Sequence, residues 1–417
     1  MPPEAAARAE RSRVRVPHLS RAAAVTLTST VLMIGAWILM HLWFFGSDQI
    51  IDTPTYQRYG EALLGGQLPY RDFSLEYPPG ALPAFAIPAA RSESLMDYRF
   101  WFDALMLVCA ICTSGFVAAT LTALGASRRR VYLSVTFIAL AFLALGSVAY
   151  SRFDLWPALL VTVGVGLIAT GPVLAGLAVL GLAVAAKLYA FVLLPPAVTF
   201  VWRTRGRRVA LCGLGVFGLA VAVVFLPFVV LAPSGVWDSL HHQASRPLQL
   251  ESLGSALLLT AHQLGAYTPS VVKTFGSDNL VGSVPSTLAT LFVMLQIVAI
   301  VAVWILFHRG KASPERFITA AAASIAAFVA FGKVFSPQFL IWIVPLVALL
   351  SGPTGRRAAA LLGTALVLTQ IWFPHHYWDL RDLGPISWVV LARDLALVGL
   401  FVLLAGSLRP RTPLRRA

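Results

Sequence analysis

Long apolar runs broken by short polar or basic interruptions make up most of the chain. A helix needs about 20 apolar residues to cross a bilayer, and shorter spans occur. The runs at 22–45, 101–124, 131–149, 207–231, 285–307, 316–332, 338–351, 357–373 and 387–407 fit that pattern. The stretch 155–202 divides less simply. No charge interrupts Leu155 to Ala186, Gly171-Pro172 breaks the run, and Lys187 precedes another apolar run that ends at Arg203, Arg205, Arg207 and Arg208. Three short spans, 155–170, 172–186 and 188–202, put Lys187 at an outer turn. Two longer spans would bury it near the midplane at a cost of a few kcal/mol and leave four arginines outside. The three-span division gives twelve crossings. Between 46 and 100 lies a long polar loop whose apolar part, Pro78-Pro79-Gly80 to Pro88, is short and proline-broken, as expected of an interfacial or re-entrant piece.

Composition narrows the class. Hydrophobic residues are 58% and charged residues 12%, against about 25% charged in soluble domains, which excludes soluble, disordered and fibrous readings. Unbroken apolar runs also argue against a β-barrel, whose strands alternate. The fold class expected is all-α, a polytopic transmembrane bundle with a large first outer loop and interfacial helices. The net charge of +14 raises nucleic-acid binding, but the bases are split among short loops, where they act as topology signals. The expected organisation is a basic cytoplasmic tail (1–21), a first span (22–45), an outer catalytic loop (46–100), a bundle (101–232), a second outer loop (233–284), a further bundle (285–407) and a basic cytoplasmic tail (408–417). With both termini cytoplasmic, 15 of the 18 acids fall on the outer side. Cys109, Cys112 and Cys212 sit in apolar runs with no His or carboxylate beside them, so neither a disulfide nor a metal is inferred from them.

Four outer segments hold the unusual residues: Asp48, Asp52, Tyr56, Tyr70, Glu76 and Tyr77; Arg152 and Asp154 with Lys187; His241, His242, Arg246, Gln249 and Glu251; and Lys333, Gln338, His375 and His376. Cations hold phosphate oxygens, aromatic rings stack on sugar faces, and a carboxylate takes a proton from an attacking hydroxyl. Taken singly, most have plainer explanations: interface aromatics, solvated acids and solvated histidines. Lys187, Arg152, Asp154 and Lys333 lie against apolar spans and need partners. A simple neutralising Arg152–Asp154 pair stands beside the functional reading.

Asp52-Thr-Pro-Thr-Tyr56-Gln-Arg-Tyr59-Gly60, Gly66-Gln-Leu-Pro69-Tyr70-Arg71-Asp72-Phe73 and Glu76-Tyr77-Pro78-Pro79 together resemble the first outer loop of glycosyltransferase family 87. Arg152-Phe-Asp154 with Lys187-Leu-Tyr189, Arg246-Pro-Leu-Gln249-Leu-Glu251-Ser252, and Lys333-Val-Phe-Ser336-Pro337-Gln338-Phe339-Leu-Ile-Trp342 are similar to it as well. That family belongs to the GT-C superfamily of membrane enzymes that use polyprenyl-phosphate sugars, and includes actinobacterial α-mannosyltransferases. The resemblance implies a GT-C-like fold in the plasma membrane and an inverting transfer of a sugar, mannose first, from a polyprenyl-phosphate donor to a glycolipid or glycan hydroxyl on the outer face. It implies an acidic first-loop residue as base, here Asp52, with Asp48 one helical turn earlier and Glu76 as runners-up. Arg152, Lys187, Arg246 and Lys333 are the candidates for the donor phosphate. Tyr56, Tyr70, Tyr77, Asp154, His241, His242, Gln249, Glu251, Gln338, His375 and His376 are candidate substrate contacts. No cofactor is implied; the loop lacks the acidic doublet of some GT-C branches, and a divalent metal stays open. A lipid-linked-sugar flippase or polytopic transporter is the rival class, although no internal repeat is found and Arg393-Asp394 is the exceptional charge within a span, expected near its outer end.

Overall fold

The computed structural model describes residues 21–43 and 51–410, and helix occupies each of the twelve segments expected to cross. The first helix is α1 (Arg21–Trp43). The loop after it is folded: α2 (Thr53–Leu64) and α3 (Leu82–Ala89) pack onto α4 (Leu95–Ala123), and a 3-10 turn at Pro79–Ala81 leads into α3. Next come α5 (Arg128–Leu145), the single turn α6 (Val148–Ser151), α7 (Leu155–Thr170), α8 (Val173–Ala186), a 3-10 stretch at Leu188–Leu193 running into α9 (Leu194–Arg205), and α10 (Arg207–Leu231). The segment between α10 and the next long helix holds α11 (Pro233–Ala244), β1 (Leu248–Gln249), α12 (Leu253–Gln263), β2 (Ser270–Thr274) and β3 (Ser277–Val281). The chain then runs through α13 (Ser283–Arg309), α14 (Pro314–Ala330), a 3-10 turn at Pro337–Phe339, α15 (Leu340–Leu349), α16 (Gly352–Trp372), α17 (Tyr377–Arg381) and α18 (Ser387–Ser407).

Local chemistry sets several boundaries. Ser94, Ser127, Ser252 and Ser313 begin α4, α5, α12 and α14, each hydroxyl accepting from the backbone N–H three residues on, which satisfies a donor that the first helical turn leaves over. Gly171, at φ +129°, ends α7 in a conformation that side chains disfavour, and Pro172 starts the return into α8.

Five helices among the described residues are long and apolar enough to cross a membrane: α1, α4, α10, α13 and α18. α10 exposes Leu219, Val223, Leu226 and Val230, and α13 exposes Leu291, Met294, Val298 and Val301, both at helical spacing. Contiguous exposed apolar stripes of this kind are costly in water and suit lipid. In contrast, all ten residues of α15 are buried, as expected for a helix that is apolar on every side. It packs against α5, α7, α14 and α16 at the centre of a polytopic helical membrane bundle.

The proline-broken stretch is drawn into the protein. Ala81, Leu82, Ala84 and Phe85 are buried, and the Gly80 carbonyl accepts from Trp156 Nε1 at 3.0 Å. A Cβ on Gly80 would lie 2.6 Å from the Ala185 backbone, so the first loop is clamped onto the end of α8, next to Lys187. Gly80→Val is therefore expected to cost roughly 1–3 kcal/mol by overpacking, read as a lower melting temperature in detergent.

The segment 233–284 is more ordered than a loop. β1, β3 and β2 form an antiparallel sheet in that order, with Leu248 opposite Leu280 and Thr274 opposite Ser277. Phe275 and Gly276, at φ +53° and +67°, make the two-residue hairpin turn.

Candidate functional site

A cavity of about 560 Å³ lies between the first loop, the N-terminal end of α7, the C-terminal end of α8, the sheet and the segment joining α14 to α15. Helix ends deliver its ions. Asp52 precedes α2, Arg152 and Asp154 fill the turn between α6 and α7, and Lys187 caps α8. Asp52 Oδ2 forms an ion pair with Arg152 Nη1 and accepts from the Tyr56 hydroxyl at 3.3 Å. Asp154 Oδ1 takes Lys187 Nζ at 2.6 Å and Trp342 Nε1 at 2.7 Å. The simple Arg152–Asp154 pair is thus corrected: each finds its partner on another segment.

Lys187 is held by more than charge. Its ammonium lies 4.6, 5.0 and 5.5 Å from the ring centres of Phe153, Trp342 and Phe339, and aromatic faces attract a desolvated cation. Trp342 in turn stacks between Tyr189 at 3.9 Å and Phe339 at 4.1 Å.

The opposite wall carries Arg246, Gln249, Glu251, Lys333 and Ser336. The Gln249 N–H donates to the Lys333 carbonyl at 2.9 Å, tying β1 to the α14–α15 link. Gln249 Nε2 donates to both Glu251 Oε2 and Ser336 Oγ at 3.0 Å. Arg246 Nη2 donates to Ser277 Oγ at 3.0 Å, and Lys333 Nζ to the Ala244 carbonyl at 2.8 Å. Among the described residues neither cation has a carboxylate partner within 4 Å. Burial lowers both below their usual ranges, and it lowers Arg152 to about 10 against the pull of Asp154 and Glu251. A bound anion would relieve that desolvation cost.

Twelve of the sequence-derived candidates line this cavity: Asp52, Tyr56, Glu76, Tyr77, Arg152, Asp154, Lys187, Arg246, Gln249, Glu251, Lys333 and Gln338. Five others do not. Tyr70 is a strut whose hydroxyl donates to the Tyr77 carbonyl at 2.6 Å. His241 and His242 are exposed on α11, one ring near Trp237 and the other near Phe275. His375 is exposed, and His376 is engaged with Asp379 at 2.8 Å on the surface. All five are dropped from the proposed site; Asp48 lies outside the described residues.

Arg393 and Asp394 are not at the mouth of α18. They are buried about 9 Å along it, at a rise of about 1.5 Å per residue. The pair closes on itself at 2.7 Å, Arg393 Nη2 donates to the Glu251 carbonyl at 2.7 Å, and the guanidinium lies 4.0 Å from the Phe335 ring centre. Its visible role is to brace the Glu251 turn.

Ser277, Gln243 and Gln296 also line the cavity and went unnoticed in the sequence. Gln243 holds the first loop by donating to the Glu76 carbonyl at 3.1 Å. The β-branched pair Val271-Val272 followed by Gly276 was the available signal for the hairpin that presents Ser277. Among the buried polar atoms at the cavity wall without a protein partner in the described residues are Asp154 Oδ2, Gln249 Oε1 and Tyr189 Oη. Two of these are acceptors only, and buried polar groups of this kind call for a donor. No group of three His, Cys, Asp or Glu suited to a metal occurs among the described residues.

No protein-family profile matches the chain, and no curated protein matches it. Among solved structures it is similar to ArnT from Cupriavidus metallidurans, crystallised bound to undecaprenyl phosphate, at 14% identity and a TM-score of 0.47, over 91% of this chain and 77% of that one.

Proposed function

We propose that the chain is a membrane glycosyltransferase that moves a sugar from a polyprenyl-phosphate donor to an acceptor hydroxyl at the outer face, with mannose as the first sugar to test and arabinofuranose or another hexose behind it. One observation carries the reading. Arg246 and Lys333, both partly buried and bonded only to neutral oxygens among the described residues, face the same cavity as the Asp52–Arg152 pair. Unbalanced cations beside an accessible carboxylate suit an anionic leaving group next to a base.

The chemistry is a single displacement. Asp52, whose side chain is 37% exposed to the cavity, accepts the proton of the acceptor hydroxyl as that oxygen attacks the anomeric carbon. The bond to the phosphate oxygen breaks with its electron pair left on oxygen. Arg152, Lys187, Arg246 and Lys333 stabilise the charge gathering there, so no second, acidic carboxyl is required of the kind hydrolases use. Asp154 Oδ2, Gln249 Oε1 and the Tyr189 hydroxyl supply partners for sugar hydroxyls. Leu188, Val293 and Phe328 line the cavity as well and suit the first isoprene units.

Proteoliposomes given labelled polyprenyl-phosphate mannose and a glycolipid acceptor provide the test. New labelled glycolipid is the expected product. Movement of the donor between leaflets with no transfer would instead support the flippase reading.

A further inference from the structure

Glu251 is a buried acid at the cavity wall to which the transfer scheme gives no task. It sits on the turn from β1 into α12, faces the cavity and is 4% exposed. Charged and titratable groups approach it from each neighbouring element: Arg393 on α18, Arg152 before α7, Arg246 before β1 and Tyr377 on α17, with the Ser336 hydroxyl and the Gln249 amide beside it. Two of these arginines are committed elsewhere, Arg152 to Asp52 and Arg393 to Asp394. Burial therefore outweighs the arginines and raises the Glu251 carboxyl to about 7.

The proposed reaction changes the charge that this carboxyl faces. A donor phosphodiester carries one negative charge. The lipid monophosphate left after transfer carries close to two, its second ionisation lying near pH 6. Resting on the glycosyltransferase reading, we propose that Glu251 binds the proton that offsets this second charge, so that the lipid monophosphate is held while Glu251 is neutral and leaves as Glu251 ionises. Protons balance. The acceptor's proton passes to Asp52 and then to solvent, Glu251 takes one from solvent in the product complex, and it returns that proton when the phosphate departs. The sign follows from linkage: a bound dianion raises the carboxyl's proton affinity, so monophosphate binding weakens as pH rises through and above the Glu251 range.

Calorimetric titration of the purified full chain in detergent micelles with farnesyl monophosphate, at about pH 8 where the phosphate is already a dianion, reads the proton directly when run in two buffers of different ionisation heat. Uptake approaching one proton per lipid is expected, with affinity falling by up to about tenfold per pH unit. Glu251→Gln should bind without uptake and with little pH dependence. Binding with no proton uptake by the unaltered chain overturns the inference and leaves the glycosyltransferase reading standing, as does uptake that persists in a folded Glu251→Gln protein. A complete failure to bind overturns both. Should the variant not fold, the titration of the unaltered chain still decides between uptake and none.

Discussion

Asp52→Asn is expected to lower sugar transfer by roughly 10²–10⁴-fold, the rate that a positioned general base contributes, because the amide cannot store the proton. The variant should still fold. The Asp52 carboxylate accepts no capping hydrogen bond from α2, whose first turn carries Pro54, and Asn has the same size. Arg152 keeps Asp154 and Glu251 within its field after the exchange. Melting temperature and donor binding should therefore stay near those of the unaltered protein while turnover disappears. Glu76→Gln provides the comparison. Glu76 lines the cavity, but its main chain is pinned by Gln243 on the α11 side, so a loss of under about tenfold is expected, in line with a charge that only tunes the field. Transfer close to normal in Asp52→Asn, measured with labelled donor in membranes, refutes the base assignment and moves it to Glu76 or Asp48.

Much of this was readable from the chain because charges beside apolar runs have few places to go. Arg128-Arg129-Arg130 opens α5, Gly171-Pro172 separates α7 from α8, and Lys187 falls in the turn after α8. The same logic selects Arg152, Asp154, Lys187 and Lys333, because an ion at such an edge must be paired or aimed at a polar cavity. Partner choice was not readable. Asp52 and Arg152 are a hundred residues apart, and only the folding of the first loop onto α8 through Gly80 brings them together. Composition also misled at 375–378, where two histidines and two aromatics look like a binding cluster. The fold turns His375, His376 and Trp378 to the surface and keeps only Tyr377, which donates to Asp278 at 2.8 Å. The sheet was missed for a related reason: its strands are two to five residues long, too short for alternation to stand out against the surrounding apolar runs.

Lys187→Met should separate two roles that a single measurement would merge. Removing the ammonium leaves the Asp154 carboxylate, 1% exposed, with the Trp342 indole as its one donor among the described residues. Breaking a buried ion pair from one side costs roughly 3–5 kcal/mol, and a lower melting temperature follows. If Lys187 also holds the donor phosphate, the donor concentration giving half-maximal transfer should rise about tenfold to a hundredfold, the equivalent of the roughly 1.5–3 kcal/mol carried by a hydrogen bond to a charged group. The double variant Asp154→Asn with Lys187→Met tells these apart. It removes both charges while leaving an amide oxygen for Trp342 Nε1, and replacing both members of a buried pair is often close to neutral for stability. Melting temperature should return toward normal, whereas the donor defect should stay. Donor use restored together with stability would make Lys187 a structural counter-ion of Asp154 and take it out of the phosphate site.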